Sequence, residues 1–164
     1  MTSALLRAGV TRDEFRETLS QVPTGLTVVT TMNGDGRPHG TTVSAFSSLS
    51  LDPPLVLVAL DRSSDLLAHV RRTGRFGINL LAEEQQDVGL ACGRKGPDKM
   101  DGLCWHEADG LPRLEDCAAW IACDVQELLP GGDHEIVVGL VTDCDSGDAG
   151  ALIFHRRGFH RLAR

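Results

Sequence analysis

Apolar residues near the start of the chain recur at the spacing of a helix. Phe15, Leu19 and Val22 fall at i, i+4 and i+7, which predicts a helix with one apolar face. Thr11 begins this helix, because Glu14 follows three positions later and completes a capping box.

Beyond this helix, apolar residues come in short runs or in strict alternation, which are typical of β-strands. Valine and threonine dominate the first run, and the later runs are nearly continuous or alternate with polar residues. The predicted strands cover residues 26–32, 55–60, 76–81, 119–125, 135–142, 151–155 and 159–162. Residues 33–36 and 129–132 are rich in glycine and predict turns.

Two further helices are predicted between these strands. Ser63 or Ser64 begins the first, which ends at Gly74, and the second covers residues 83–92. Residues 93–110 contain four glycines and predict a loop. Strands outnumber helices and most connections are hairpin-like, so we expect a mainly β fold, an antiparallel barrel with peripheral helices. One domain should cover residues 1–164, with residues 1–10 as a loose N-terminal arm.

Hydroxyl side chains are concentrated in residues 41–50, where six of the ten residues are serine or threonine. Val43, Phe46 and Leu49 lie among them. A solvated linker would not need these apolar residues, so the segment is not explained as a linker. Unpaired hydroxyls are costly to bury, at about 1–3 kcal/mol each, so a packed core does not explain the segment either. We expect a returning strand and a loop that face a polar ligand; the alternative is an edge strand that faces water.

The net charge of −7 disfavours nucleic acid as a partner, but leaves room for a local phosphate pocket. No segment approaches the ~20 apolar residues of a membrane span, and we expect a cytoplasmic protein. The five cysteines lack Cys-x-x-Cys spacing and should be reduced and buried. The six histidines are scattered, which predicts no metal site.

Four segments in order resemble one known family. They are residues 22–31, the hydroxyl-rich segment, residues 76–81 with 84–86, and the Gly-Asp-His segment at residues 132–139. Together they resemble the small flavin reductases that supply reduced flavin to two-component monooxygenases, and the resemblance covers roughly residues 15–162. It implies a Greek-key split β-barrel that binds FMN and forms a homodimer.

The resemblance also implies a set of site residues around a flavin. The backbone of four residues would lie along the polar edge of the flavin ring: Thr42, Val43, Ser44 and Ala45. The phosphate end would be bound by Ser48, Ser50, Asp61, Arg62, Ser63 and Ser64. Asn79, followed by Leu80 and Leu81, would contact the flavin, and Arg94 and Lys95 would offset a phosphate charge.

Each of these roles has a simpler alternative. Asn79 would also fit as a buried amide bonded to nearby backbone, and Arg94 with Lys95 as a solvated basic pair. His134 of the Gly-Asp-His motif would orient the nicotinamide on the flavin, or it is a turn histidine beside Asp133.

The sequence departs from the family pattern at three places. Ala45 stands where relatives often have serine, so a backbone contact would survive there and a side-chain contact would not. The Ser64-Asp65 step departs from a threonine that is common in relatives. Lys99 is followed by Met100, where a basic residue followed by phenylalanine is common.

The implied activity is hydride transfer from NADH or NADPH to FMN or FAD, with the reduced flavin passed to a transient partner monooxygenase. No Gly-x-Gly-x-x-Gly fingerprint is present, so the nicotinamide nucleotide would lie in an open groove. Two alternatives remain open: a flavin carrier or sensor, and another split-barrel oxidoreductase, such as one acting on pyridoxamine phosphate.

Overall fold

The computed structural model describes residues 9–163, so most of the predicted N-terminal arm, residues 1–8, lies outside the described residues. The helices are α1 (Arg12–Ser20), α2 (Asp65–Thr73) and α3 (Gln86–Cys92). The strands are β1 (Thr24–Gly25), β2 (Thr27–Met32), β3 (Pro38–Val43), β4 (Phe46–Leu51), β5 (Pro54–Asp61), β6 (Arg75–Leu80), β7 (Trp105–Ala108), β8 (Leu111–Leu114), β9 (Ala119–Gly131), β10 (His134–Ser146), β11 (Ile153–His155) and β12 (Gly158–His160).

The predicted helix ends are confirmed at α1 and α2. Thr11 caps α1, where the Glu14 N–H donates to Thr11 Oγ1 at 3.2 Å and the Glu14 carboxylate accepts from the Thr11 N–H. Ser64 caps α2, where the Leu67 N–H donates to Ser64 Oγ at 3.2 Å. Gly74 ends α2 with φ at 69°, a left-handed conformation that glycine adopts without steric cost.

Seven antiparallel strands form one sheet in the order β3-β2-β6-β9-β10-β5-β4. Its two edge strands, β3 and β4, are consecutive in the chain and are joined by Ser44 and Ala45 alone. A two-residue link cannot span a flat seven-stranded sheet, in which neighbouring strands lie about 4.8 Å apart, so the sheet must curl until its edges meet. The Ala59 N–H, which donates to the Ala45 carbonyl at 3.0 Å, ties the link to β5. This confirms the predicted antiparallel split barrel.

Two predictions about the loops are wrong. The hydroxyl-rich segment forms strands on both sides of the Ser44–Ala45 link, instead of one strand and a loop. Residues 93–110 include β7, which forms a hairpin with β8 across Asp109 and Gly110. Both turn residues have positive φ, at 50° and 75°, and Asp-Gly is a common pair for such a turn.

The turn predicted over residues 129–132 is shorter in the structure. Strand β9 continues to Gly131, which pairs with His134, so the turn consists of Gly132 and Asp133. Leu128 and Leu129 therefore lie within β9, where they pair with Val137 and Ile136 of β10.

The core of the described residues contains two large clusters and a small third one formed by Leu111, Trp120 and Ala122. Leu66, Leu67 and Val70 of α2 are fully buried in the first cluster, where they cover one side of the barrel. The second contains Cys92 of α3 and Met100, packed among residues from β2 and β8. None of the described helices is long and apolar enough to cross a membrane.

Candidate functional site

A cavity of about 200 Å³ opens at the corner where the Ser44–Ala45 link closes the sheet. It is lined by Thr41, Thr42, Val43, Ser44, Ala45, Ala59, Leu60, Asp61, Ser64 and His134. Seven of these residues come from the sequence-predicted site, drawn from segments that are far apart in the chain. Thr41, Ala59 and Leu60 were missed, although Thr41 belongs to the same hydroxyl-rich segment.

The link presents main-chain donors to this cavity. Its carbonyls are both used, since Ser44 O accepts from the Phe46 N–H and Ala45 O accepts from the Ala59 N–H, each at 3.0 Å. Within residues 9–163, no acceptor pairs with the N–H of Ser44 or Ala45, and both residues are exposed. Backbone N–H groups are strong donors that require a partner when a ligand displaces water. The cavity can therefore bind a ligand edge rich in acceptors.

Thr42 contributes its backbone to the cavity and not its hydroxyl. Its Oγ1 donates to the Gly89 carbonyl of α3 at 2.6 Å, which turns the side chain toward that helix.

Asp61 and His134 form one corner of the cavity, because they are paired residues at adjoining ends of β5 and β10. Asp61 Oδ1 accepts from the Ser63 N–H at 2.7 Å and from Ser63 Oγ at 2.6 Å. These bonds lower the pKa of Asp61, with smaller contributions from the charges of His134 and Lys95. Asp61 is therefore held as a negative charge, and Lys95 interacts with it electrostatically.

The ring of His134 is oriented by its neighbour in the turn. His134 Nδ1 lies 2.8 Å from Asp133 Oδ1, and this bond lowers the pKa of Asp133. With Nδ1 engaged, Nε2 is the ring nitrogen available to a ligand, and 42% of the side chain is exposed. His134 is therefore a turn residue bonded to Asp133, and its free ring nitrogen can also contact a ligand.

Ser48 and Ser50 lie away from the other residues assigned to the phosphate end. Strand β4 runs from the cavity in the direction opposite to β5, and Ser48 pairs with Val56. Val56 precedes Asp61 by five residues, a separation of roughly 16 Å along a strand. The structure thus does not bring Ser48 and Ser50 together with Asp61 and Ser64.

Asn79 is fully buried, and its amide is satisfied within the protein. Nδ2 donates to Val28 O at 3.1 Å and to Thr30 Oγ1 at 3.2 Å, while Oδ1 accepts from the Leu114 N–H at 2.7 Å. The predicted flavin contact is corrected here, because these bonds leave Asn79 with no surface for a ligand. Its role is the alternative, a core amide that joins β6 to β2 and β8.

The other predicted residues lie outside the cavity lining. Leu81 is fully buried in the second core cluster, and Leu80 is half-buried. The Arg62 N–H donates to the Asp133 carbonyl at 3.1 Å and so supports the His134 corner. The remaining predicted residues are exposed: Ser63, Arg94 and Lys95.

A second hollow of about 730 Å³ shares Ser44 and Ala45 with the cavity and extends along α1. The apolar face of α1 lines it, and Phe15, Leu19 and Val22 remain 57%, 51% and 54% exposed.

The cysteines offer no nucleophile to this site. Burial raises the pKa of Cys92 to about 11 and that of Cys117 and Cys123 to about 12, so these thiols stay protonated. Cys104 and Cys144 are exposed, so the prediction that the thiols are buried is wrong for these two. Within residues 9–163, no cluster of histidine, cysteine and carboxylate side chains could hold a metal ion.

Comparison with known proteins places this geometry in a family. A family model described as a flavin reductase like domain matches residues 19–163. A flavin reductase of Pseudomonas putida is 37% identical over 165 residues, which cover 99% of this chain and 97% of that protein. The reductase subunit HsaB of a flavin-dependent monooxygenase from Mycobacterium tuberculosis is 41% identical over 128 residues, 77% of this chain and 68% of that protein. Two other curated relatives are longer, and the chain spans about half of each, at 47% and 49%.

Solved structures agree in fold over nearly the whole chain. The NADH:FAD oxidoreductase SgcE6 of Streptomyces globisporus superposes with a TM-score of 0.90 at 27% identity, covering 99% of this chain and all of that one. The same protein in complex with NAD and FAD fragments gives a TM-score of 0.85 at 29% identity and covers 93% of each chain. These findings confirm the resemblance on which the site prediction was built. The chain belongs to the flavin reductase like domain family.

Proposed function

We propose that this chain is an NAD(P)H-dependent flavin reductase that supplies reduced flavin to a partner monooxygenase. The observation that carries the proposal is that the N–H groups of Ser44 and Ala45 have no acceptor within residues 9–163, while both residues line a cavity bordered by His134. Membership of the family supports the reaction class.

The cavity suits the acceptor-rich edge of a flavin. The amides of Ser44 and Ala45 would donate to that edge, with the backbone of Thr42 and Val43 continuing the wall. Bound FMN or FAD would supply the redox chemistry, accepting at N5 the hydride that leaves C4 of the reduced nicotinamide. Donors fixed by the barrel closure also favour the charge that develops on the ring during reduction.

His134 would position the second ring. Asp133 holds Nδ1, so the imidazole offers Nε2 to the carboxamide of the nicotinamide without transferring a proton. This role needs no proton transfer from the two titratable groups of the lining, Asp61 and His134. To orient the nicotinamide ring on the flavin ring, the protein needs a donor or acceptor in a fixed position.

Names of relatives support the choice of partners. HsaB is a reductase subunit of a flavin-dependent monooxygenase, and a structure of SgcE6 is in complex with NAD and FAD fragments. By analogy, this chain would use NADH with FAD or FMN and would hand reduced flavin to a separate oxygenase. A cytoplasmic location is part of the proposal, and cell fractionation tests it.

A homodimer is also part of the proposal. Phe15 and Leu19 of α1, and Val22 just after the helix, line the same hollow and remain about half exposed in the single chain. A second copy packed on this face would cover them and would approach the cavity through Ser44 and Ala45. Leu19→Glu should shift the mass measured by light scattering from dimer to monomer, whereas an unchanged mass would contradict the proposed interface.

A steady-state assay tests the function directly. Purified protein is mixed with NADH or NADPH and with FMN or FAD, and nicotinamide absorbance is followed. Loss of absorbance that depends on both flavin and protein supports the reductase. Flavin fluorescence that changes on binding, without turnover in any of the four combinations, would instead identify a carrier or sensor.

A further inference from the structure

Glu135 follows His134 in β10, and its carboxylate is mostly buried. The side chain is 15% exposed, and Oε1 accepts from Arg71 Nη2 of α2. The second oxygen, Oε2, is buried and has no hydrogen-bond partner among the described residues. Burying an acceptor without a partner is costly, and a carboxylate brings two such oxygens. Stability alone therefore does not account for a charged side chain at this position.

The pairing of β10 shows which way this carboxylate points. Glu135 is paired with Leu60 of β5, which is 3% exposed and belongs to the first core cluster. Paired residues of antiparallel strands lie on the same side of a sheet, and successive residues of one strand alternate. The Glu135 side chain therefore lies on the side that α2 covers, and His134 points away from it.

Helix α2 is bonded to the His134 corner at two points. Near its start, the Ser64 N–H donates to the Asp61 carbonyl at 3.0 Å, and Ser64 lines the cavity. Arg71 comes seven residues later, two turns along the same face of the helix, and is bonded to Glu135. Asp61 ends β5 and Glu135 lies at the start of β10. The ion pair thus completes a closed ring of contacts from β5 through α2 to β10.

The amides of Ser44 and Ala45 lie outside this ring. Their link between β3 and β4 is tied to β5 through the Ala59 N–H, which donates to the Ala45 carbonyl. Loss of the ion pair should therefore displace His134 relative to these amides without removing a donor from the flavin.

We propose that Glu135, through its ion pair with Arg71, is a positioning residue that sets the orientation of His134 toward the nicotinamide. The inference rests on the proposed reductase function and adds to it a residue that does not line the cavity. A small displacement of a group that orients a substrate lowers the rate even when the change lies away from the reacting atoms. By contrast, replacing a buried ion pair with apolar side chains of similar size often leaves stability unchanged or raises it. Positioning and stability can therefore be separated by experiment.

The paired replacement Arg71→Met with Glu135→Leu tests the proposal. The KM for NADH should rise about fivefold at saturating FMN, while the Kd for FMN stays within about twofold and the midpoint of urea denaturation does not fall. Arg113→Met with Asp145→Leu is the matched control, because that ion pair joins β8 to the opposite end of β10, and it should keep the wild-type KM. An unchanged KM would overturn the proposal. A rise in KM accompanied by lower stability and weaker FMN binding would also overturn it, since the pair would then only hold the fold together.

Two further variants identify the group through which Glu135 acts. In a His134→Ala background the paired replacement should cause no further loss, because changes that act through one group are not additive. Additive losses would overturn the proposal.

Glu135→Gln keeps an acceptor for the Arg71 guanidinium and should hold the KM for NADH within about twofold of the wild type. A Gln variant as impaired as the paired replacement would show that the bond to Arg71 does not position the corner. Wild-type protein without flavin-dependent oxidation of NADH would contradict the proposed function itself, whereas equal turnover by wild type and paired replacement would contradict only the role of Glu135.

Discussion

His134, the first residue of β10, is paired in register with Asp61, the last residue of β5. The Arg62 N–H, which donates to the Asp133 carbonyl, joins the two strand ends a second time. An ion pair between Arg71 of α2 and Glu135 fastens the helix to the same corner. The backbone of His134 is therefore held firmly by β5 and α2, although its imidazole is exposed. A residue that orients a ligand requires this combination.

Removing the imidazole should impair use of the nicotinamide substrate. We expect His134→Ala to lower kcat/KM for NADH about tenfold, equivalent to about 1.4 kcal/mol of transition-state stabilisation, while the Kd for FMN changes little. Steady-state kinetics with FMN saturating and NADH varied measures the effect. His106→Ala is the matched control, because His106 lies on β7 and binds Glu115 away from the cavity. Equal kinetics for the two variants would exclude His134 from the site.

The amide of Ala45 should matter more than its side chain. Ala45→Pro deletes one of the two unpaired N–H donors and should weaken flavin binding about tenfold, the effect expected for one hydrogen bond of about 1.5 kcal/mol. Ala45→Ser retains the donor and should bind flavin as the wild type does. Fluorescence titration gives both dissociation constants, and circular dichroism verifies that the Pro variant keeps its strands. Equal affinities for the two folded variants would show that the ligand does not use this amide.

The helix ends and most strands could be predicted from sequence because their signals are local. The capping box at Thr11 and Glu14 and the glycine at position 74 act within one turn of the chain. The β7–β8 hairpin was missed although its signal, Asp109 followed by Gly110, is also local; the surrounding glycines obscured it.

The site could be predicted only in part, because the directions and pairing of the strands decide which residues lie together at the cavity. Ser48 and Asp61 lie in neighbouring strands, but these strands run antiparallel and carry the two residues apart. Lys99 reaches Thr41 across 58 positions of sequence, a contact that no spacing pattern reveals. Asn79 shows a different limit of sequence prediction. A polar residue in an apolar strand indicates that a hydrogen-bond partner exists, but not whether that partner is a ligand or another part of the protein.

Asn79 should affect stability and leave ligand binding unchanged. Asn79→Ala would deprive the Leu114 N–H, Val28 O and Thr30 Oγ1 of a buried partner. Thr30 Oγ1 keeps its bond to the Pro112 carbonyl, so the Leu114 N–H is the group left unsatisfied. One unsatisfied buried group costs about 1–3 kcal/mol, and we expect the free energy of unfolding to fall by about that amount. Urea denaturation measures this loss, and FMN titration under native conditions should give the wild-type Kd. A weaker Kd with unchanged stability would restore the flavin contact that the structure argues against.

His39 should make the protein less stable in acid. Its side chain is 3% exposed, and among the described residues Nε2 has no hydrogen-bond partner. Burial lowers the pKa of His39 below its ordinary value of 6.5, and the charges of His69 on α2 and of Lys99 lower it further, while Asp65 opposes them. The ring of His69 lies 5.1 Å from that of His39.

The sign of the effect follows from which state takes up the proton first. The unfolded chain binds a proton at His39 near pH 6.5, whereas the folded chain resists until lower pH. Stability from this residue is therefore complete above that pH and is lost as the pH falls toward the folded pKa, by at most about 1.4 kcal/mol per pH unit. His39→Phe keeps an apolar ring in the site and should flatten this part of the stability profile, as measured by urea denaturation between pH 7.5 and pH 5. The control His106→Gln should keep the wild-type slope; a His39→Phe profile parallel to the wild type would show that protonation of His39 does not limit folding.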